Sequence, residues 1–338
     1  MADLSITYMG LKLKNPVIAG SSNLAMKIEN VKAMEEAGVG AIVYKSLFEE
    51  QVNFESADFD ESMAAYNDRH AESTRMYPEM QHAGPKEFLM QLKKIKEVAT
   101  VPIIASINAL YTETWVEYAK LIEKTGVDAL EINLFKAPKK FQESAQESEE
   151  FKLKIIKSVK KAVKIPVAVK LSPFYSSMLN FISEIDKIGV KGFVLFNKLF
   201  EPEIDINSEK PIFPFNLSSK GDHRLPLRFA GLLHGNIKAN ICSSGGIFDG
   251  DDAIKMLLAG ADAVQVVSTL YKNKIGQISK IVGRIEEWMD EKGYKTIDDF
   301  RGKLSRKNCK DPYVYLRAQY VDIILNSADE LLKKHPVI

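Results

Sequence analysis

A helix end followed directly by a buried strand is predicted for Lys124-Thr125-Gly126-Val127-Asp128-Ala129-Leu130-Glu131. Gly126 suits the end of a helix because glycine tolerates the left-handed backbone of a C-cap. The apolar run after it is typical of a strand buried in a parallel sheet. The same pattern recurs in residues 36–43, 187–194 and 258–265. Four copies predict a chain built from repeated helix–strand units.

Four further predicted strands alternate with these copies. Two of them begin after a proline, in Val101-Pro102-Ile103-Ile104-Ala105 and Ile165-Pro166-Val167-Ala168-Val169, where its missing N–H matters least. The others are Pro16-Val17-Ile18-Ala19 and Ile241-Cys242-Ser243-Ser244. Eight strands are therefore expected near residues 16, 41, 102, 129, 166, 193, 241 and 263.

Amphipathic patterns between the strands predict helices, as in the shared face of Phe88, Leu92, Ile95 and Val98. Strands that alternate with such helices imply parallel βαβ units. Eight units favour a closed (β/α)₈ TIM barrel over the alternative, an open doubly wound sheet, and 338 residues are enough for one such barrel. We find no linker, so residues 1–338 are expected to form a single domain with a C-terminal helical extension over 306–338.

Two stretches are too long for the minimal unit. Residues 49–85 follow the second strand, and residues 198–224 follow the sixth. Both lie on the side where barrel enzymes keep their chemistry, so extended loops there suggest a lid over a pocket.

Composition excludes several classes of protein. The formal net charge of +1 gives no reason to expect a nucleic acid or a membrane as partner. No apolar run reaches the roughly 18 residues of a membrane span, and the mixed N-terminus does not resemble a signal peptide. The two cysteines, Cys242 and Cys309, form no metal-binding pair, so no metal is expected. A cytoplasmic protein is the expectation.

Polar residues end several of the predicted strands. Active sites of barrels use the carboxyl ends of the strands, and those ends carry Lys45, Asn108, Asn133, Lys170 and Asn197. A solvated rim without a ligand is the alternative. Five polar side chains on one rim favour a binding site, because their apolar neighbours offer few partners.

The last two strands suggest a phosphate site. Gly245-Gly246 lets the backbone approach a ligand, and Ser268 offers a hydroxyl after the eighth strand, where barrels bind phosphate. An ordinary tight turn would also explain the two glycines. A phosphate site opposite Lys170 suits FMN, because a cation near the flavin pyrimidine stabilises the charge that builds on reduction. The alternative for Lys170 is a structural pair with a carboxylate such as Glu131.

The chain resembles the class 1 dihydroorotate dehydrogenases and the related flavin barrel of dihydropyrimidine dehydrogenase over about residues 4–305. The motifs that carry the resemblance are Asn15-Pro16-Val17-Ile18-Ala19-Gly20, Tyr44-Lys45-Ser46, Asp128-Ala129-Leu130-Glu131-Ile132-Asn133-Leu134, Val169-Lys170-Leu171-Ser172-Pro173 and Gly245-Gly246-Ile247. The family oxidises a C–C bond beside a carbonyl: a base after the fourth strand removes a proton, and a hydride passes to FMN.

The resemblance implies FMN contacts at Ala19, Gly20, Lys45, Ser46, Asn133, Lys170, Gly245, Gly246 and Ser268. Candidate substrate-binding residues are Asn108, Asn133 and Asn197. Candidate catalytic residues are Lys45 and Lys136, the latter standing at the position of the family base.

The same segment departs from the family pattern. The family has Asn-Leu-Ser-Cys-Pro-Asn after the fourth strand, with Cys or Ser as the base, whereas this chain has Asn133-Leu134-Phe135-Lys136-Ala137-Pro138. A family asparagine that binds substrate is thus replaced by Pro138. The resemblance therefore implies FMN binding more firmly than it implies dihydroorotate as the substrate.

Three functions remain open on the sequence. The leading one is an FMN-dependent oxidoreductase acting on a small cyclic amide such as dihydroorotate. The others are a flavin-binding protein without turnover and a non-redox barrel for a phosphorylated metabolite, in which Lys45 and Lys170 form a Schiff-base pair or bind phosphate. The family suggests a homodimer. Without an NAD fingerprint, transfer of electrons to NAD would need a partner subunit.

Overall fold

The centre of the molecule is built from β-strands. The computed structural model describes residues 2–50, 52, 85–135, 141–198, 201–212, 214, 216–315, 321, 324, 325 and 333. In chain order the described strands are β1 (Ile6–Tyr8), β2 (Leu11–Leu13), β3 (Val17–Ala19), β4 (Ala41–Phe48), β5 (Ile103–Asn108), β6 (Ala129–Asn133), β7 (Val167–Leu171), β8 (Gly192–Leu195), β9 (Glu203–Asp205), β10 (Lys210–Ile212), β11 (Asn240–Ser244) and β12 (Ala263–Val266).

A closed barrel is formed in the order β11-β12-β3-β4-β5-β6-β7-β8. All neighbouring pairs in it are parallel. Each barrel strand covers or directly adjoins a position predicted from the sequence. The prediction of a (β/α)₈ barrel is therefore confirmed. The open sheet is excluded because β8 pairs with β11, which closes the barrel and leaves no edge strand.

Helices surround the barrel. The described α-helices are α1 (Ile28–Glu36), α2 (Lys86–Val98), α3 (Thr112–Glu123), α4 (Ala145–Ala162), α5 (Met178–Ile188), α6 (Arg224–Leu233), α7 (Gly250–Ala259), α8 (Ser268–Asn273) and α9 (Gln277–Lys292). Their apolar faces are buried, as Leu92 and Ile95 of α2 illustrate. Ser144 and Glu147 form a capping box that fixes the start of α4.

The repeated glycines have the backbone that the sequence predicts. Gly38, Gly126, Gly189 and Gly260 have φ values of 90°, 84°, 87° and 122°. Most other residues would be strained there, so these glycines let each helix turn directly into the next strand.

A hairpin of β1 and β2, not predicted from the sequence, packs at the amino ends of two barrel strands. Tyr8 and Met9 in it are 1% exposed, and Asn240 accepts a hydrogen bond from the Met9 N–H at 2.9 Å. An added Cβ at Gly192 would lie 3.0 Å from the Tyr8 hydroxyl. The hairpin thus lies at the end of the barrel opposite the strand ends singled out above.

The predicted long loops are only partly described. In the loop after β8, β9 and β10 form an antiparallel hairpin. Most of the loop after β4 lies outside the described residues, so its predicted role as a lid stays a prediction. No helix in the described ranges is long and apolar enough to cross a membrane.

The start of the C-terminal extension is anchored to α6. Tyr315 is 6% exposed, and its carbonyl accepts a hydrogen bond from Arg228 Nη2 at 2.7 Å. Its ring lies against Gly231, where an added Cβ would collide with it. Most of the helical extension predicted over 306–338 falls outside the described residues, so it stays a prediction, as does the single-domain organisation.

Candidate active site

A cavity of about 320 Å³ opens at the carboxyl ends of the barrel strands. This volume is within the range of small-molecule sites, about 300–1,000 Å³. Residues predicted for the site that line it are Lys45, Ser46, Asn133, Lys170, Asn197, Gly245, Gly246 and Ser268. Strands that are far apart in sequence thus bring both predicted ends of the ligand site into one space.

Three predicted residues are not on the cavity surface. Ala19 is 1% exposed and Asn108 is 2% exposed. An added Cβ at Gly20 would lie 2.6 Å from Val267 Cγ2 and 3.2 Å from Gln265 Oε1, so this glycine makes room for their side chains. A fourth predicted residue, Lys136, lies outside the described residues.

Asn108 supports the site from behind. Its Nδ2 donates hydrogen bonds to the carbonyl oxygens of Asn133 at 2.8 Å and Phe135 at 2.9 Å. Both acceptors are at the end of β6. Asn108 therefore holds the backbone from which Asn133 projects, and the structure does not place it where the sequence predicted, against a substrate.

A buried polar cluster surrounds Lys170. Its Nζ lies 3.4 Å from Gln265 Oε1 and 3.7 Å from Glu131 Oε1. Gln265 Nε2 donates to Glu131 Oε2 at 2.8 Å. Lys170 thus has both features that the sequence left as alternatives, because it pairs with Glu131 and also lines the cavity.

A row of serine hydroxyls connects the cavity to Glu131. Ser106 Oγ donates to Glu131 Oε1 at 3.3 Å. Ser46 Oγ lies 2.7 Å from Ser106 Oγ and 3.1 Å from Ser21 Oγ. Because Ser106 gives its proton to the carboxylate, Ser46 donates to Ser106, and Ser21 donates to Ser46. Each hydroxyl in the row is therefore oriented toward the buried charge.

Two amides form a pair on the cavity wall. Asn197 Nδ2 donates to Asn133 Oδ1 at 3.0 Å. Since an amide group carries both donors and an acceptor, this arrangement leaves Asn133 Nδ2 as a donor and Asn197 Oδ1 as an acceptor for a ligand, as judged from the described residues. Such a pair matches the edge of a cyclic amide, which has a carbonyl beside an N–H.

Another part of the cavity wall is made of backbone and hydroxyl groups. Gly245 and Gly246 have φ values of 105° and 70°, and α8 begins at Ser268 after β12. Ser268 Oγ accepts from the Ser218 N–H at 2.9 Å, and Lys272 Nζ donates to the Ser218 carbonyl at 3.1 Å. The loop before α6 is thereby tied to the end of β12, where the sequence predicted a phosphate site.

Aromatic side chains make much of the remaining wall, and the sequence reasoning did not assign them to the site. Phe48, Phe135 and Phe196 line the cavity. The Phe196 ring meets that of Phe229 edge-on, with the centroids 5.2 Å apart. These rings provide flat apolar surface, which suits a planar ligand.

Cys242 lies in the barrel interior, where it does not replace the missing family base. Burial, followed by the negative charge of Glu131, raises the pKa of the Cys242 thiol well above its usual value. Burial likewise raises the pKa of Tyr8. The thiol therefore stays protonated at neutral pH and is a poor base or nucleophile.

Asp222 carries a negative charge close to the cavity. Burial acts to raise its pKa, but the N–H and hydroxyl of Ser219 and the charge of Lys198 outweigh burial, so the pKa of Asp222 is lowered. Its Oδ2 lies 3.4 Å from Lys198 Nζ, and Lys198 lines the cavity. This ion pair joins the end of β8 to the loop before α6.

Gln265 was missed because the sequence argument treated its segment only as a buried strand. A single amide in the run Ala263-Val264-Gln265-Val266 is a signal in itself, because a polar side chain buried in a strand needs a partner. Only the barrel shows that the partners are Glu131 and Lys170, which are far away in sequence.

Comparison with known proteins is consistent with this geometry. The family model described as dihydroorotate dehydrogenase matches residues 70–289. Three similar proteins are each named dihydroorotate dehydrogenase B (NAD(+)), catalytic subunit. The one from Thermoplasma volcanium is 29% identical over 308 residues, which cover 89% of this chain and 98% of that protein.

The other two come from different archaea. The protein of Methanocaldococcus jannaschii is 27% identical over 308 residues, covering 88% of this chain and 97% of its own length. The protein of Pyrococcus abyssi is 28% identical over 307 residues, with coverage of 88% and 98%. The similarity therefore spans nearly the full length of these relatives.

Proposed function

The chain belongs to the dihydroorotate dehydrogenase family, and from this premise we propose that it is an FMN-dependent oxidoreductase acting on a C–C bond next to a carbonyl. The observation that carries the proposal is one cavity that is lined both by a buried lysine and by a glycine backbone. Lys170 supplies the cation, while Gly245, Gly246 and Ser268 supply backbone and hydroxyl groups.

The residues present fit FMN. At Gly245 the space where a Cβ would stand contains no other atom within 4 Å, so there is room for a ligand to approach the backbone at this turn. Lys45, Ser46 and Asn133 line the same cavity and are assigned to the flavin by the family resemblance. When bound, FMN supplies an acceptor for a hydride. The protein supplies binding, orientation and a cation that favours the added charge.

The amide pair supports a small cyclic amide as the substrate. Asn133 Nδ2 and Asn197 Oδ1 present a donor beside an acceptor, and Phe48, Phe135 and Phe196 present flat surfaces. Dihydroorotate is the named candidate. Pro138 stands where the family has a further asparagine, so this site has one fewer amide for that substrate than the family pattern.

Flavin content tests the proposal directly. Purified protein should absorb in the usual flavin bands and release FMN, not FAD, on denaturation. Anaerobic mixing with dihydroorotate and other cyclic amides should then bleach the spectrum for the true substrate. Protein that is colourless and does not take up added FMN would contradict the proposed function, and protein that binds FMN but is bleached by no substrate would favour a flavoprotein without turnover.

Lys136 is proposed to meet the substrate, on the basis of its position in the family motif. Lysine is a poor base at neutral pH because its reference pKa is about 10.4, so it serves as a base only in an environment that lowers this value. We expect Lys136→Ala to lower turnover at least about tenfold, since a positioned general base contributes about 10²–10⁴-fold, while the FMN content stays unchanged.

Two neighbours provide matched controls for Lys136. Lys139→Ala and Lys140→Ala remove the same charge close by in sequence and should keep most of the turnover. Equal losses in all three variants would show that a general basic charge matters and would contradict the specific role of Lys136. Lys136→Cys restores the family residue but not the amide lost at Pro138, so it should rescue dihydroorotate oxidation poorly.

We further propose that electrons leave through a partner subunit. The relatives described above are named catalytic subunits, and this sequence contains no NAD fingerprint. The isolated chain, reduced by its substrate, should pass electrons to an artificial dye but not to NAD⁺. Direct reduction of NAD⁺ by the isolated chain would overturn this part of the proposal.

A further inference from the structure

Glu131 is a buried charge to which neither the family motif nor the proposed function gives a role. Its side chain is 1% exposed, and it is not among the residues that line the cavity. A carboxylate loses its hydration when it is buried, so it needs compensating contacts. Here Gln265, Ser106 and Lys170 supply them.

Two buried side chains contact the ammonium group of Lys170. Its Nζ lies 3.7 Å from Glu131 Oε1 and 3.4 Å from Gln265 Oε1. An ammonium has three N–H donors, and among the described residues only Gln265 is within hydrogen-bond distance, so donors remain for a ligand in the cavity. Gln265 also bonds Glu131 at 2.8 Å, and the acceptors are therefore held relative to each other as well as to the lysine.

The three side chains come from strands that the barrel brings together. Glu131 is on β6, Lys170 is on β7 and Gln265 is on β12. Their fully buried neighbour Ser106 pairs with Glu131 across β5 and β6. One positive and one negative charge make this cluster neutral, so a ligand beside Lys170 experiences a cation whose charge is partly cancelled.

We propose that Glu131, through the negative charge it places beside Lys170, sets how much more tightly the site binds reduced FMN than oxidised FMN. The inference rests on the proposed function, because it requires FMN to bind beside Lys170. A hydride brings two electrons and one proton, so the flavin ring gains one negative charge. Lys170 favours that charge, and the carboxylate of Glu131 opposes it.

Glu131→Gln removes the charge of the side chain at position 131 and keeps its shape. The substitution keeps the length of the side chain and an oxygen that can accept from Gln265 Nε2, so Gln265 Oε1 can stay 3.4 Å from Lys170 Nζ as in the wild type. We therefore expect loss of the negative charge to outweigh any loss of positioning. Two unit charges about 10 Å apart at an effective dielectric constant of about 20 change a binding ratio by about tenfold.

The measurement is the midpoint potential of bound FMN, from anaerobic titration against a dye of known potential. A tenfold rise in the preference for reduced FMN raises the potential of a two-electron couple by about 30 mV. The expected result for Glu131→Gln is a rise of that size. An unchanged or lowered potential would overturn the inference.

A second variant exchanges the carboxylate at position 131 with the amide at position 265. In the double variant Glu131→Gln/Gln265→Glu, the carboxylate moves to position 265, which is also within reach of Lys170, and the amide at position 131 can donate to it. The potential should return to the wild-type value. If Glu131→Gln does not accumulate as folded protein, Gln265→Glu takes its place: it adds a second carboxylate beside Lys170 and should lower the potential, and an unchanged potential would overturn the inference. An exchange variant whose potential differs from the wild-type value would also contradict it.

Ser106→Ala is the matched control. It removes one donor to Glu131 without changing any charge, so it should move the potential less than Glu131→Gln does. An equal shift would mean that packing around Glu131, not its charge, is responsible. Wild-type protein that binds no FMN would overturn the proposed function, whereas FMN-binding protein whose potential is the same in the wild type and in Glu131→Gln would overturn only the role of Glu131.

Discussion

Lys170→Gln should lower the reduction potential of bound FMN or abolish FMN binding. The substitution removes the buried cation that favours the charge on reduced flavin and leaves the negative charge of Glu131 without its cationic partner. A hydrogen bond to a charged group contributes about 1.5–3 kcal/mol, which for a two-electron couple is about 30–60 mV. The bare carboxylate acts in the same direction, so we expect a fall of at least this size, measured by anaerobic dye titration.

Lys96→Gln is the control for a lost lysine charge. Lys96 pairs with Asp128 at 2.6 Å on the outside of the barrel, and its loss should leave the potential unchanged. The double variant Lys170→Gln/Glu131→Gln should show a smaller fall than Lys170→Gln alone, because it removes both charges of the pair. A Lys170→Gln protein that keeps FMN at the wild-type potential would show that Lys170 does not act on the flavin.

Gly246→Ala should destabilise the protein even without FMN. The residue has φ of 70°, which costs an alanine about 1–2 kcal/mol. The added Cβ would also collide with the His223 nitrogen and lie 2.8 Å from the Asp222 carbonyl carbon and 2.9 Å from the Ser219 oxygen. Crowding of this kind costs about 1–3 kcal/mol, so we expect a total of about 2–5 kcal/mol in urea unfolding of the FMN-free protein.

Gly245→Ala is the control that separates the cost of crowding from the cost of backbone strain. Gly245 also has positive φ, 105°, but no atom lies within 4 Å of its added Cβ. This variant should lose only the part due to backbone strain, about 1–2 kcal/mol. Equal losses of stability in the two variants would contradict the close approach of the loop at 219–223 to Gly246. Both variants should bind FMN more weakly than the wild type.

Local sequence patterns were enough to predict the barrel. A glycine such as Gly126 indicates the end of a helix, and the short apolar run after it indicates a buried strand. Eight such units of ordinary length leave few topologies, because parallel strands need helical crossovers of one hand. The β1–β2 hairpin escaped prediction because each of its strands has three residues, too few for a periodic pattern.

The site residues at strand ends were predictable for a related reason. In a barrel the carboxyl ends of all strands meet at one face, so Lys45, Asn133, Lys170 and Asn197 were expected together before any contact was known. Asn108 met the same criterion, yet its amide bonds the backbone at the end of β6. A position on a strand end does not say whether a side chain faces the ligand or a neighbouring strand.

Sequence patterns therefore determined the fold and the face that carries the site, since these depend on local conformation and on the order of units along the chain. Only the tertiary structure could show which polar groups are partners, because the pairing depends on strands distant in sequence. Gln265 is 95 residues from Lys170 and 134 from Glu131, and no periodicity relates them. Closing the barrel places all three side chains in its interior, where burial makes each of them need the others.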